Sequence, residues 1–319
     1  MTETKIIRKV ALFVCHDLIG LLILNRIIPA MKKIGIEPVI FNTTNKRNRN
    51  FKIPTPHIVA ALNVHALEKV IFPFLETEPD TSQACLTYRQ LAKKHSLDYQ
   101  EISDVNAPDF IKHIKNDKEI IGAISARFLQ VFDTSVIKTF KEKGFMWNLH
   151  SGLLGQYKGL LLPYRAIQNK EKEYGVTLHE ITPKIDEGGI IKLGVLPLDP
   201  TKTVLDLYLD TVNIIADTIM TPLTQIRNNQ TPKSEPQLRT LGETYYSNPT
   251  EEEFKEFMAR GIFYADQIQT IQRVADFFAG TENPRNKNLN EALSKFLNAG
   301  DSQAIPTPDA IRENTSDAA

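Results

Sequence analysis

The chain has 319 residues, 42% of them hydrophobic and 24% charged, and 38 Lys and Arg balance 38 Asp and Glu to a net charge of zero. That composition excludes a disordered or fibrous protein and fits a soluble globular one, long enough for one large domain with an appendage or for two domains. The two cysteines, Cys15 and Cys85, form neither a disulfide framework nor a metal-type spacing, so buried free thiols in a reducing, cytoplasmic compartment are expected.

Residues 10–15 read as a first strand, 18–34 as a helix with apolar residues at helical spacing, and 38–41 as a second strand. This β-α-β opening predicts an α/β fold with a Rossmann-like, doubly wound, mostly parallel sheet. Lys5, Arg8 and Lys9 precede the first apolar run as in an export signal, but His16 and Asp17 interrupt it. No uninterrupted run of about 18 apolar residues occurs, so neither export nor a membrane span is expected. The basic stretch Lys46-Arg47-Asn48-Arg49-Asn50-Phe51-Lys52 reads first as a solvated connection. Contact with phosphate or carboxylate groups of a ligand is its sharper alternative.

Residues 58–78 and 81–95 read as helices, with Pro73, Pro79 and Asp80 breaking the run. A strand follows at 97–102, a helix at 108–115, a buried strand at 119–128, a helix at 134–143 and a strand at 145–150. Residues 176–181 and 190–196 read as β structure flanking a turn that contains Asp186. Residues 203–227 form a long amphipathic helix, whose Val204, Leu207, Leu209, Val212, Ile215 and Ile219 suit packing on a sheet. Pro232 and Pro236 mark a boundary. Beyond it, 250–258, 265–278 and 289–297 read as helices, the first opened by a capping box of Thr250 and Glu253. The polar stretch 301–319 is expected to be disordered. The predicted organisation is a catalytic domain over 1–229, a small helical C-terminal element over 230–300 and a tail over 301–319.

The chemistry concentrates at Asn148-Leu149-His150, which closes the apolar run from Gly144, and at Asp186 within Ile185-Asp186-Glu187-Gly188-Gly189. The period of two in a strand puts Asn148 and His150 on one face, at the C-terminal end where open α/β sheets hold ligands. A carboxylate returned to that edge by a hairpin orients the imidazole or exchanges a proton with it. An amide, a base and a carboxylate without an obvious nucleophile suit acyl transfer to an incoming amine. Plainer readings exist: a histidine satisfied at a strand end, and an Asp that only forms a turn before glycines. His57, His65, His95 and His113 have no partner spacing, and no cluster supports a metal site.

Four segments together carry a family resemblance. They are Asn148-Leu-His-Ser-Gly-Leu-Leu-Gly-Gln-Tyr-Lys-Gly159, Ala166-Ile-Gln-Asn-Lys-Glu171, Tyr174-Gly-Val-Thr-Leu-His179 and Ile185-Asp-Glu-Gly-Gly-Ile-Ile191. In this order and spacing the chain, over about residues 9–220, resembles the folate-dependent formyltransferases. That family includes glycinamide ribonucleotide, methionyl-tRNA and sugar-amine formyltransferases. Two positions depart from its pattern: Gly155 stands where Pro commonly follows the leucines, and Lys158 replaces a frequent Arg.

The resemblance implies the formyltransferase fold, N10-formyltetrahydrofolate as the formyl donor, and no metal. It implies catalytic roles for Asn148 and His150 at the developing oxyanion and for Asp186 in proton transfer. It also implies donor contacts from Leu129, Gln130, Val131, Ile181 and Ile185. The strand-like run from Ile121 to Phe132 would lie along the pterin. His179 is expected near the site or in a structural role, and His16 is a candidate to face the acceptor pocket.

The acceptor is expected to be a small-molecule amine. Residues 221–319 hold ten Lys and Arg against fourteen Asp and Glu, which argues against a nucleic-acid-binding appendage. Tyr245 and Tyr246 with the helical C-terminal part are similar to sugar-amine formyltransferases, pointing to a nucleotide-linked amino sugar; a hydroxylamine or amino-acid metabolite comes next. Homodimerisation is left open. Two alternatives stand beside transfer to an amine: a formyltetrahydrofolate hydrolase using water, and a folate-binding protein without catalysis.

Overall fold

The computed structural model describes residues 8–43, 57–77, 84–238, 244–266 and 268–299. The basic stretch 46–52 and the tail 301–319 lie outside the described residues.

The opening unit is β1 (Arg8–Cys15), α1 (Leu18–Lys33) and β2 (Ile36–Thr43). Asp17 starts α1 by accepting a hydrogen bond from the Gly20 backbone N–H at 2.6 Å, satisfying one of the donors a helix start leaves unpaired. A continuous helical run follows: α2 (His57–Ala60), two π-helical turns at Ala61–His65 and Leu67–Ile71, and α3 (Phe72–Thr77). Its stretch Ile58–Glu76 is long and apolar enough to cross a bilayer, with a mean hydropathy of 1.6. Here Leu62, Ala66, Leu67, Ile71 and Leu75 turn into the core instead.

Next come α4 (Tyr88–His95), β3 (Asp98–Glu101), α5 (Pro108–Asn116), β4 (Ile120–Ala126), α6 (Thr134–Lys143) and β5 (Phe145–His150). Residues 81–83 of the helix expected over 81–95 lie outside the described residues, and among the described ones it starts at Tyr88. Thr87 and Gln90 form a capping box there, and the Ala84 and Cys85 N–H groups donate to the Phe278 carbonyl at 3.1 and 3.2 Å, away from any helical partner. The strand expected to reach Phe128, and its extension to Phe132, also stops early. Arg127 takes a left-handed φ of 62°, which no strand accommodates, so Leu129, Gln130 and Val131 sit on a loop.

The chain continues through β6 (Tyr157–Gly159), α7 (Leu162–Gln168), β7 (Glu173–Glu180), β8 (Ile190–Pro197) and α8 (Val204–Arg227). It ends in β9 (Thr244–Tyr246), α9 (Glu251–Ala259), α10 (Gln269–Ala279) and α11 (Asn286–Ala299). The main sheet runs β3-β2-β1-β4-β5-β7-β8. The first five of these strands pair in parallel, and β7 and β8 add antiparallel. This is the expected α/β architecture, and strand order reverses between β1 and β4, where such sheets open a crevice.

Helices α1 and α8 cover one face of the sheet, with Leu18, Leu22, Val204, Leu207, Leu209, Val212, Ile215 and Ile219 all buried. Phe13, Phe41, Ile114, Val136 and Phe140 form the core on the other face. The C-terminal helices do not stand apart. Phe257, Val274, Phe278, Leu289 and Leu293 are buried in the same cluster as α1 and α8. The capping box of Thr250 and Glu253 opens α9 as expected. Helix α10 begins at Gln269, later than expected, because the Asp266 carboxylate takes up the N–H groups of Ile268 and Gln269.

Candidate active site

Strand β5 is the inner edge of the site. It pairs antiparallel with β7 so that Asn148 lies opposite His179. The Asn148 amide nitrogen is 3.0 Å from His179 Nε2. His179 Nδ1 is 2.8 Å from the Glu180 carbonyl. A carbonyl only accepts, so Nδ1 carries the proton and Nε2 is left to accept from Asn148. Burial pushes the His179 pKa down to about 4, against a partial upward pull from Asp186, so the ring is neutral near pH 7. The Asn148 side chain makes no other hydrogen bond among the described residues, which leaves one amide N–H for a ligand.

His150, two residues along the same face, is buried. Its Nε2 lies 3.3 Å from the Tyr157 carbonyl and its Nδ1 faces Asp186 Oδ2 across 3.6 Å. Asp186 also has Oδ1 at 3.7 Å from His179 Nε2 and accepts weakly from the Gly159 N–H at 3.4 Å. Asp186 itself adopts a left-handed φ of 54°. Gln237 holds this turn from 51 residues away, its side-chain amide donating to the carbonyls of Asp186 at 2.9 Å and Gly188 at 2.7 Å. Thus both His150 and His179 face Asp186, and His179 links it to Asn148.

One cavity contains all four side chains, and its wall includes Leu129, Gln130, Val131, Ile181 and Ile185. Val131 and Ile185 are large apolar residues left 41% and 46% exposed, an uncovered apolar rim that a flat ring would fill. Gln130 differs from expectation in one respect. Its side chain is buried and committed to the Val105 N–H, the Thr43 hydroxyl and the Ser103 carbonyl, so although the residue is part of the wall its side chain braces the loop. His16 packs against Phe72 and Tyr88 and is not among the residues lining this cavity.

The two departures from the family pattern have local causes. Gly155 has a φ of 97°, and a Cβ there would come 2.7 Å from the Leu238 carbonyl oxygen, so Pro, fixed near −65°, does not fit. Lys158 is buried, with Nζ 3.8 Å from Glu187. Among the described residues no group of three or more His, Cys, Asp or Glu is arranged to hold a metal ion.

Sequence reasoning missed Arg127, Tyr208 and Gln237. Arg127 and Tyr208 line the cavity, as does Tyr245 from β9. A charged residue inside the apolar run Ile121–Phe132 was a readable signal for Arg127. Nothing local marks Gln237, which lies in the polar segment after Pro236.

Residues 90–216 match the model of the family described as Formyl transferase; this stretch contains Asn148, His150, His179 and Asp186. The methionyl-tRNA formyltransferase of Chlorobium chlorochromatii (strain CaD3) is 26% identical over 181 residues, 56% of this chain and 56% of that protein. The methionyl-tRNA formyltransferase of Methylobacillus flagellatus is 30% identical over 131 residues, 41% of this chain and 36% of that one. The chain therefore spans about half or less of the length of these curated relatives. Among solved structures, the phosphoribosylglycinamide formyltransferase of Anaplasma phagocytophilum gives a TM-score of 0.51 at 13% identity, covering 76% of this chain and 100% of that one, a likeness of fold.

Proposed function

We propose, from the match of residues 90–216 to the formyl transferase family model, that this chain transfers a formyl group from N10-formyltetrahydrofolate to the amine of a small molecule. One observation carries the reading: Asn148, His150 and Asp186 converge in a single cavity beneath an apolar rim. Leu129, Val131, Ile181 and Ile185 are the residues that would hold the pterin ring of the donor, which supplies a one-carbon unit at the formyl level.

The remaining amide N–H of Asn148 donates to the formyl oxygen as it gains charge, and His150 assists there. Removing a donor of this kind costs roughly 10²–10³ in rate. Asp186 accepts, through water, the proton shed by the attacking amine, and His150 helps return one to the departing donor nitrogen. A new C–N bond to the acceptor replaces the C–N bond to the donor, so protons and bonds balance. Holding amine and donor at attack distance supplies much of the remaining acceleration.

For the acceptor, the excess of acidic residues over 221–319 disfavours a polyanion such as tRNA. A nucleotide-linked amino sugar is the first candidate, with the half-exposed Tyr245 ring at the cavity wall offering a stacking surface. The test is tetrahydrofolate release from formyl donor with and without a panel of amines. Amine-dependent release supports the proposal. Release independent of amine assigns water as the acceptor, and donor binding without release leaves only a folate-binding protein.

A further inference from the structure

The cavity has a second wall that the chemistry above does not use. Arg127 follows β4 and Asp17 follows β1, the neighbouring strand. The two form a partly buried ion pair: Asp17 Oδ2 accepts from Arg127 Nη2 at 2.9 Å and from Nε at 3.2 Å. Asp17 is fixed in turn, because its other carboxylate oxygen caps α1. The guanidinium lies against the Tyr208 ring, 5.7 Å from its centroid. Arg127 makes no further hydrogen bond among the described residues, so both Nη1 N–H groups are unspent. Arg127 and Tyr208 nevertheless line the same cavity as Asn148 and His150.

Two features argue that this is more than a structural salt bridge. Arg127 holds a left-handed φ of 62°, a conformation that arginine adopts at a cost and that clusters at functional sites. A guanidinium also presents a planar fork suited to oxyanions; here the Nε–Nη2 edge is spent on Asp17, and Arg127 is at the same time part of the cavity wall. Layer order gives the side. The guanidinium is held by Asp17, which caps α1, and by Tyr208 of α8, on the face those two helices cover. Ile181 packs with the core on the other face, together with Phe128 and Phe132 from the loop that carries Leu129 and Val131.

We propose that Arg127, clamped by Asp17 and backed by Tyr208, is the acceptor-specificity residue and binds an oxyanion, carboxylate or phosphate, on the amine substrate. This rests on the formyl-transfer reading and narrows it to amines that bear such a group. A neutral amine leaves the unspent N–H groups of Arg127 without a partner and is the poorer substrate.

The test combines a binding arm with a turnover arm on the full chain. Calorimetric titration with inorganic phosphate and with acetate is run on the wild type, Arg127→Lys and Arg127→Met. Removing Arg127 leaves Asp17 unpaired and endangers the fold; Arg127→Lys keeps the charge beside Asp17 but loses the fork. Expected is saturable binding weakened about tenfold or more in both variants, the scale of a charge-assisted hydrogen bond, with phosphate or acetate, whichever binds tighter, naming the source. In turnover, KM for aminoalkyl phosphates or amino acids rises in Arg127→Lys while KM for neutral amines stays put. Unchanged anion affinity in Arg127→Lys overturns the proposal, as does an equal rise in KM for neutral amines. Competitive displacement of phosphate by tetrahydrofolate would also overturn it, assigning the cation to the donor. If no amine is formylated, the formyl-transfer reading fails, and the titration alone still decides whether Arg127 binds an oxyanion.

Discussion

Asn148 and His179 face each other across β5 and β7 with 3.0 Å between amide nitrogen and Nε2, and this pairing fixes which way the Asn148 amide points. With His179 Nδ1 donating to the Glu180 carbonyl, only an acceptor remains at Nε2, so the amide NH₂ must face it. The second N–H is thereby aimed by a neighbour 31 residues away.

A pH dependence follows. His179 has its pKa lowered by burial from 6.5 to about 4. Between those values the unfolded chain holds a proton that the folded chain excludes, so stability falls as pH drops through this window and is fully present above it. The shift corresponds to about 3 kcal/mol. Protonating Nε2 also removes the acceptor for Asn148, so turnover should fall on the acid side along with stability. Urea melts from pH 7 to pH 4 check this, and a His179→Phe variant should show a flatter acid limb and slower turnover. Identical pH curves for variant and wild type would sink the assignment.

Asn148→Ala, His150→Ala and Asp186→Ala should each lower turnover about a hundredfold or more, the scale of oxyanion and acid–base roles. Donor affinity should survive in the first two, because the apolar rim at Leu129, Val131, Ile181 and Ile185 is untouched. Steady-state rates and donor titration read this out. Near wild-type rates in all three would show that the chemistry lies elsewhere.

Gln237 bears on Asp186 through backbone alone, donating to the Asp186 and Gly188 carbonyls. Gln237→Ala should loosen the turn, lowering kcat about tenfold with little change in donor affinity. Gln237→Glu, which sets a carboxylate against two carbonyls, should be worse. Rates equal to wild type in both variants would mean that the turn is held by other contacts.

Gly155→Pro should destabilise the chain although Pro is the commoner residue of the resembling pattern. The φ of 97° and the nearby Leu238 carbonyl oppose any side chain, at a cost of about 1–3 kcal/mol. Gly155→Ala should lose part of that amount. Thermal melting of the two variants decides, and a Gly155→Pro protein as stable as wild type would refute the steric argument.

Apart from the short elements β6, α7 and β9, the sequence by itself determined the strand and helix order, the shared face of Asn148 and His150, and the capped start of α9. These depend on local period and on side chains within three or four residues, which a single chain displays directly. Only the tertiary structure decided where β4 ends, because that turns on the sign of one φ at Arg127. It alone joined Asp17 to Arg127 across 110 residues and Gln237 to the Asp186 turn across 51. It alone set α9, α10 and α11 into the same core as α1 and α8, where a linear reading divides the chain at Pro232 and Pro236. Such contacts are chosen by which surfaces meet when apolar area leaves water, and that outcome belongs to the whole fold and to no local stretch of sequence.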